Sequence, residues 1–350
     1  EMTKLNIPVP PGFTISTEAC IYFMNNGKYP KGFRKQVNES LEQLETKMGK
    51  KFGDLENPLL LSVRSGARQS MPGMMETVLN IGLTDKTIKG LIKKTKNERF
   101  VYDSFRRLLT MYADVVMEKS NGLDFNIRTK LEKILSKVKK TNNIINDYDL
   151  SPNQLRKICQ KYETIIMKEF GNSFPQNPKI QFWNSIKAVF LSWNGDRAKQ
   201  YRKIENIPHH WGTAVNIQCM VFGNMGKNSA TGVAFTRSPS TGENTFFGEW
   251  LPNAQGEDVV AGIRTPFEIN VGANSLKNKM PDIYKQLNHI QKKLELHYKD
   301  MQDIEFTVEN NLLWLLQTRT GKRNGPASIK IALDFLKKRQ IDYKEFLKRI

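Results

Sequence analysis

From about Lys86 to Phe174 the chain is written in helical periodicity, with Phe105, Leu108, Leu109, Tyr112, Val115 and Val116 recurring at steps of three and four and few glycines between them. A stretch of that length, flanked on both sides by strand-like runs, predicts a helical subdomain. Ser151-Pro152 offers a capping hydroxyl followed by proline at the first helical position, so a helix should run to about Phe170 and be closed by Gly171. Pro175 and Pro178 mark the exit, and Gln181 to Lys203 reads as one more helix before the chain turns to strand.

Ahead of this block, three prolines between Asn6 and Phe13 predict an extended entry, and Val37, Leu41 and Leu44 give Phe33 to Lys50 a helical face. Leu59, Leu60, Leu61 and Val63 then form a short buried strand that delivers Arg64 to the loop Ser65-Gly66-Ala67. Beyond the block lie two strand-like runs, Val215 to Phe222 and Gly232 to Arg237. The glycine- and hydroxyl-bearing stretch between them, Gly223 to Thr231, admits two readings: a cover whose backbone N–H groups point at phosphates, or an ordinary hairpin loop.

Near the C-terminus Asp303 to Val308 alternates strictly, which places Ile304, Phe306 and Val308 on one face and Asp303, Glu305 and Thr307 on the other. A second strand, Leu312 to Thr318, follows. With a two-residue Asn310-Asn311 turn Glu305 faces Leu316 and the carboxylates lie across the sheet from Gln317; a three-residue loop instead sets Asp303 against Gln317 and Glu305 against Leu315. The second register gathers Asp303, Glu305, Gln317 and Arg319, and is the one expected, because hard carboxylate oxygens suit Mg²⁺ and a guanidinium neutralises phosphate. The alternative is a solvated outer face of an antiparallel sheet.

Composition limits the function classes. At roughly 150 residues per domain, 350 residues make two or three units. The net charge of +19 invites a nucleic-acid reading, but Lys outnumbers Arg 38 to 16, Asn reaches 30, and the basic stretch Thr84 to Leu150 still mixes 15 basic with 9 acidic residues. That is a compositional bias without a recognition module, so no nucleic-acid partner is expected. Cys20, Cys159 and Cys219 stand too far apart for a disulfide framework or structural zinc. No apolar run reaches membrane-spanning length and no leader opens the chain, so no membrane association and a cytoplasmic location are expected; the opening Glu1 reads as the start of a piece of something longer.

Several stretches resemble one family closely: Ser62 to Asn80, with its Val63-Arg64-Ser65-Gly66-Ala67-Arg68 and Met71-Pro72-Gly73-Met74-Met75-Glu76; Gln218 to Phe222; Thr231-Gly232-Val233-Ala234-Phe235-Thr236-Arg237; Asn253-Ala254-Gln255-Gly256-Glu257-Asp258 through Pro266; and Leu316-Gln317-Thr318-Arg319. The resemblance is to the ATP-binding domain of the pyruvate phosphate dikinase family and runs the whole chain. Phosphoenolpyruvate synthase shares the Val-Arg-Ser and Gln-Thr-Arg elements but not the Met-Pro-Gly-Met-Met-Glu stretch.

The resemblance implies an α+β, ATP-grasp fold in which residues 1–85 with 176–221 form one lobe, 86–175 an inserted helical subdomain, 222–325 the second lobe and 326–350 a helical linker. It implies ATP as substrate, Mg²⁺ as cofactor, and transfer of the pyrophosphoryl group of ATP to a histidine on a downstream domain. Phosphate then takes the outer phosphoryl group, and a pyruvate-binding barrel receives the other to give phosphoenolpyruvate. Neither further domain is in this sequence; the whole enzyme would be a homodimer, the present chain a monomer unable to turn over. By position, Arg64 and Arg319 would bind phosphates, Glu305 and Gln317 would hold metal and orient the triphosphate, and Asp303 would support them. Gln218, Met220, Val221 and Phe222 would form the adenine segment, with Thr231 and Gly232 at the phosphate cover, Gly232 allowing close backbone approach. Glu257 would contact ribose or adenine, and Asp258 and Arg107 would serve the nucleotide site or the docking of the histidine domain, Arg107 having a solvated helix face as its plain reading. The family's phosphate-binding lysine would precede Glu1. His209 and His210 lack an orienting partner in the sequence and are rejected as phosphoryl carriers. Rival readings are a phosphoenolpyruvate synthase-like domain, an ATP-grasp ligase making an acyl phosphate, and a basic nucleic-acid-binding module.

Overall fold

A computed structural model describes residues 1–260 and 264–350, and the chain divides into two compact units, Pro11–Met220 and Glu1–Pro10 with Val221–Ile350. The first ten residues thus group with the second half of the chain.

The first unit holds a four-stranded antiparallel sheet of β1 (Gly12–Ile15), β2 (Leu61–Gly66), β3 (Thr77–Ile81) and β4 (Ala214–Cys219) in the order β1-β4-β2-β3. The apolar run before Arg64 is buried as expected, with Leu61 and Val63 inaccessible. Helix Phe33–Met48 buries Val37, Leu41 and Leu44. In the helical block, Ser151 and Gln154 form a capping box, Pro152 opens the helix Pro152–Phe170, and Gly171 ends it at φ 66°. Helix Glu98–Met111 widens into a π-helical stretch, Tyr112–Glu118. One expectation fails. Gln181 to Lys203 is not a single helix but two, Pro178–Ser192 and Asp196–Ile204, because Trp193 to Gly195 turn the chain while the buried Trp193 indole donates to the His209 carbonyl.

The second unit is a five-stranded antiparallel sheet of β5 (Ala230–Phe235), β6 (Phe247–Pro252), β7 (Phe267–Glu268), β8 (Gln302–Glu309) and β9 (Leu312–Thr320), ordered β9-β8-β5-β6-β7. Ile304, Phe306 and Val308 of β8, Leu313 and Leu315 of β9, and Trp250 of β6 bury one face against Ile283, Leu287, Ile290 and Leu294 of the helix Pro281–Tyr298. Arg237, fully buried, ties that helix to Gly325–Lys337 through Glu295 (2.9 Å) and Asp334 (3.0 Å). The hairpin reading of residues 223–231 is overturned, since β4 pairs with β1 and β2 while β5 pairs with β6 and β8, so the stretch passes from one sheet to the other. Among the described residues no helix is long and apolar enough to cross a membrane.

Candidate functional site

The expected polar face exists, and a β-bulge builds it. Asn310 and Asn311 sit at φ 49° and 65°, the left-handed pair that closes a two-residue hairpin, and the tip pairs Glu309 with Leu312 and Phe306 with Leu315. The register then slips by one residue: Leu316 is passed over, Glu305 faces Gln317, and Asp303 faces Arg319. Neither uniform register foreseen from the sequence is present. The two-residue turn is, and the extra residue on β9 brings Gln317 to the carboxylates.

On this face Arg319 Nε donates to Asp303 Oδ2 at 2.7 Å, and its Nη2 lies 3.8 Å from Glu305 Oε1. The three side chains keep 14 to 28% of their surface exposed, enough to meet a ligand. Burial pushes the Asp303 carboxyl above the usual carboxylate range; Arg319 opposes the shift and the Glu305 charge reinforces it. Arg319 thus reaches both carboxylates. Among the described residues no group of three or more His, Cys, Asp or Glu could hold a metal ion. The face therefore offers two carboxylates and one amide oxygen, a donor set that fits a Mg²⁺ keeping waters and phosphate oxygens as its other ligands.

Other candidates fall as follows. Thr231 lies on β5 opposite Thr307, both nearly inaccessible, and its hydroxyl donates to the Phe306 carbonyl at 3.1 Å. Gly232 has a reason other than backbone approach to a ligand, since a Cβ there would come within 2.5 Å of the Phe306 ring and 2.6 Å of the Glu249 carbonyl. The adenine segment is already engaged at two points: Met220 N–H donates to Leu60 O at 2.9 Å, and Phe222 N–H to Glu309 Oε1 at 3.0 Å. Glu257 is half-buried in the short helix Gly256–Val260, and the Asp258 carboxylate accepts from the Gln255 N–H at 2.9 Å. Residues 261–263 of that motif lie outside the described residues.

In the first unit Arg64 pairs with Asn216 and Thr77 across the sheet, and Gln218 with Gly12 and Ser62. Arg107 does not lie on a solvated face; its Nε donates to the buried Asp103 at 3.0 Å. His209 does have a neighbour that orients it, since the buried Arg202 donates to its Nδ1 at 3.2 Å, but that neighbour is a cation and not the carboxylate a phosphoryl carrier would want. Sequence reasoning missed Glu309, which anchors Phe222, and Trp314, whose buried indole N–H finds no acceptor among the described residues. Strand parity placed Thr307 beside the carboxylates, and extending it two residues would have found Glu309.

Comparison with known proteins shows the family. The model of the pyruvate phosphate dikinase AMP/ATP-binding domain matches residues 28–285 and 280–340, so the chain belongs to that family. It is 50% identical, along all of its length, to a pyruvate, phosphate dikinase of Clostridium symbiosum, 47% to one of Giardia intestinalis and 48% to pyruvate, phosphate dikinase 1, chloroplastic, of Zea mays. The chain spans 36 to 39% of the length of these relatives.

Proposed function

We propose that the chain binds Mg·ATP on the Asp303, Glu305, Gln317 and Arg319 face and presents it for transfer of the pyrophosphoryl group to a histidine on a separate phosphohistidine domain. The observation that carries this is the bulge at Leu316, which brings two carboxylates, an amide and a guanidinium onto one face of a chain in this family. In the transfer the histidine nitrogen forms a bond to the β-phosphorus as the bond from that phosphorus to the α,β-bridging oxygen breaks, and AMP leaves with the electron pair. Arg319 neutralises phosphate charge while holding Asp303 in place. Glu305 and Gln317, with Asp303 beside them, are the groups that would hold Mg²⁺, which screens the phosphate oxygens from an incoming nucleophile. Because two backbone N–H groups of the adenine segment are taken, adenine recognition falls to other groups of Met220 to Phe222.

The same reading takes the architecture as ATP-grasp, with 86–175 as an insertion, Arg64 as a second phosphate ligand, and pyruvate and phosphate as the later acceptors in the complete enzyme. A cytoplasmic location accords with Cys20, Cys159 and Cys219 being free and buried. The test is thermal unfolding with and without Mg·ATP beside a salt-dependent DNA titration. A midpoint raised by Mg·ATP and lost in Arg319→Ala supports the reading; no nucleotide response, with tight DNA binding, refutes it.

A further inference from the structure

We propose that the second unit carries a separate site for a planar aromatic anion, in the cleft between the core face of its sheet and the start of the helix Pro281–Tyr298. The cleft has a volume of about 750 Å³, within the range of small-molecule sites. The partly buried Phe267 lines it, backed by Trp250, which is 3% exposed, with ring centroids 6.2 Å apart, and Met280 adds a polarisable thioether. The Trp250 indole N–H is spent on the Asn274 carbonyl at 3.2 Å, which fixes the ring as an apolar wall. Lys227 and Lys279 are exposed at the same cleft; the one acid lining it, Asp282, is itself outward and 3.6 Å from Lys285. An aromatic wall with two lysines recognises a flat ring bearing a carboxylate, sulfonate or phosphate.

This cleft is not the nucleotide face. Trp250 pairs with Gly232, which pairs with Phe306, so all three belong to the core side; Glu249, Val233 and Glu305 alternate onto the other. Lys227 and Asn228 belong to the connection 223–231, where Asn228 O accepts from Asn311 N–H at 2.8 Å and Ser229 Oγ from Asn310 N–H at 3.1 Å. An occupied cleft would hold that connection in place, a consequence that alone rests on the nucleotide reading.

The probe is naphthalene-1-sulfonate, followed by its fluorescence, with 1-naphthalenemethanol as the neutral comparison. Binding should saturate at one probe per chain and weaken about tenfold or more in Lys227→Ala/Lys279→Ala, surface changes that spare the fold, while the neutral compound is unaffected. Glu305→Ala should leave the sulfonate affinity unchanged even though it removes the Mg·ATP response. Unsaturable binding, equal affinity in the double variant, or loss of sulfonate binding in folded Glu305→Ala would each overturn the site; failure of Mg·ATP to bind the parent chain would not.

Discussion

The helical block and the β8–β9 face each hold a cluster of carboxylates and guanidinium groups, and the two are built with opposite balances. In the first, Asp103 contacts Arg106 at 2.7 Å and Arg107 at 3.0 Å, none of the three more than 7% exposed, and Asp147 lies 3.4 Å from Arg106, so two carboxylates meet two guanidinium groups. Burial pushes the Asp103 carboxyl up, but the Arg107 and Arg106 charges overcome it and hold the carboxyl far below its ordinary range. In the second, Arg319 contacts both Asp303 and Glu305, and the Asp303 carboxyl is shifted the other way. The first cluster is sealed from solvent, whereas the second stays partly exposed, where a ligand can reach it.

Breaking the matched cluster should have the largest effect. Asp103→Ala strands two buried arginines and should cost about 3–5 kcal/mol in denaturant unfolding. The contribution of Asp103 is present above its unfolded value near pH 4 and lost as pH falls toward the lower folded value, so the parent chain should lose stability on acidification where the variant loses little. Asp303→Asn, by contrast, should change stability by no more than about 1 kcal/mol, because burial penalises the Asp303 charge and the amide oxygen remains an acceptor for Arg319. Equal costs at the two positions would erase the distinction between the clusters.

The partly exposed cluster should show itself in binding. Glu305→Ala should leave the unfolding midpoint of the free chain within a degree or two yet reduce Mg·ATP affinity tenfold to a hundredfold, the loss of about 1.5–3 kcal/mol expected for a contact to a charged group. In a complete relative carrying the histidine domain, the same change should abolish transfer from ATP and spare phosphoryl exchange between phosphoenolpyruvate and the histidine. Equal loss of both half-reactions in a folded variant would make Glu305 structural.

How far the sequence could reach depended on whether the deciding interaction was local. The Ser151 cap, the Gly171 stop and the buried Leu59–Val63 run were legible because capping and apolar continuity are read within a few residues. The polar face was half legible: alternation sorted Asp303 and Glu305 correctly, but the Leu316 bulge that aligns Gln317 arises from fitting two strands of unequal count between a fixed turn and a shared core. The partners of β4 and β5 were not legible, since they lie far along the chain, and nor was the burial of Arg107, whose helix packs against Pro152–Phe170 far along the chain although its partner Asp103 is on its own helix.

The smallest expected effect sharpens the comparison from within the helical block. Glu163, on the helix Pro152–Phe170, is a carboxylate there that no guanidinium contacts among the described residues; it accepts from Gln176 Nε2 at 3.1 Å, and Gln176 Oε1 in turn accepts the Asp85 N–H at 2.9 Å. Burial first, and then the Asp85 charge, push its carboxyl up to about 7, with Gln176 opposing. It thus behaves like Asp303 rather than like its neighbour Asp103, because at both positions burial outweighs the groups that oppose it. With a raised folded value, its contribution is fully present below the unfolded value near 4.3 and lost as pH rises through about 7. Glu163→Gln keeps an acceptor for Gln176 without the charge. Because the side chain is only half-buried, solvent screening limits the gain to about 1 kcal/mol at pH 8, falling to nothing near pH 4. Urea unfolding of both proteins at half-unit steps from pH 4 to 8 measures it. Parallel curves, or a variant less stable at pH 8, would mean that Glu163 stays ionised in the fold and that its surroundings, not the missing cation, set its behaviour.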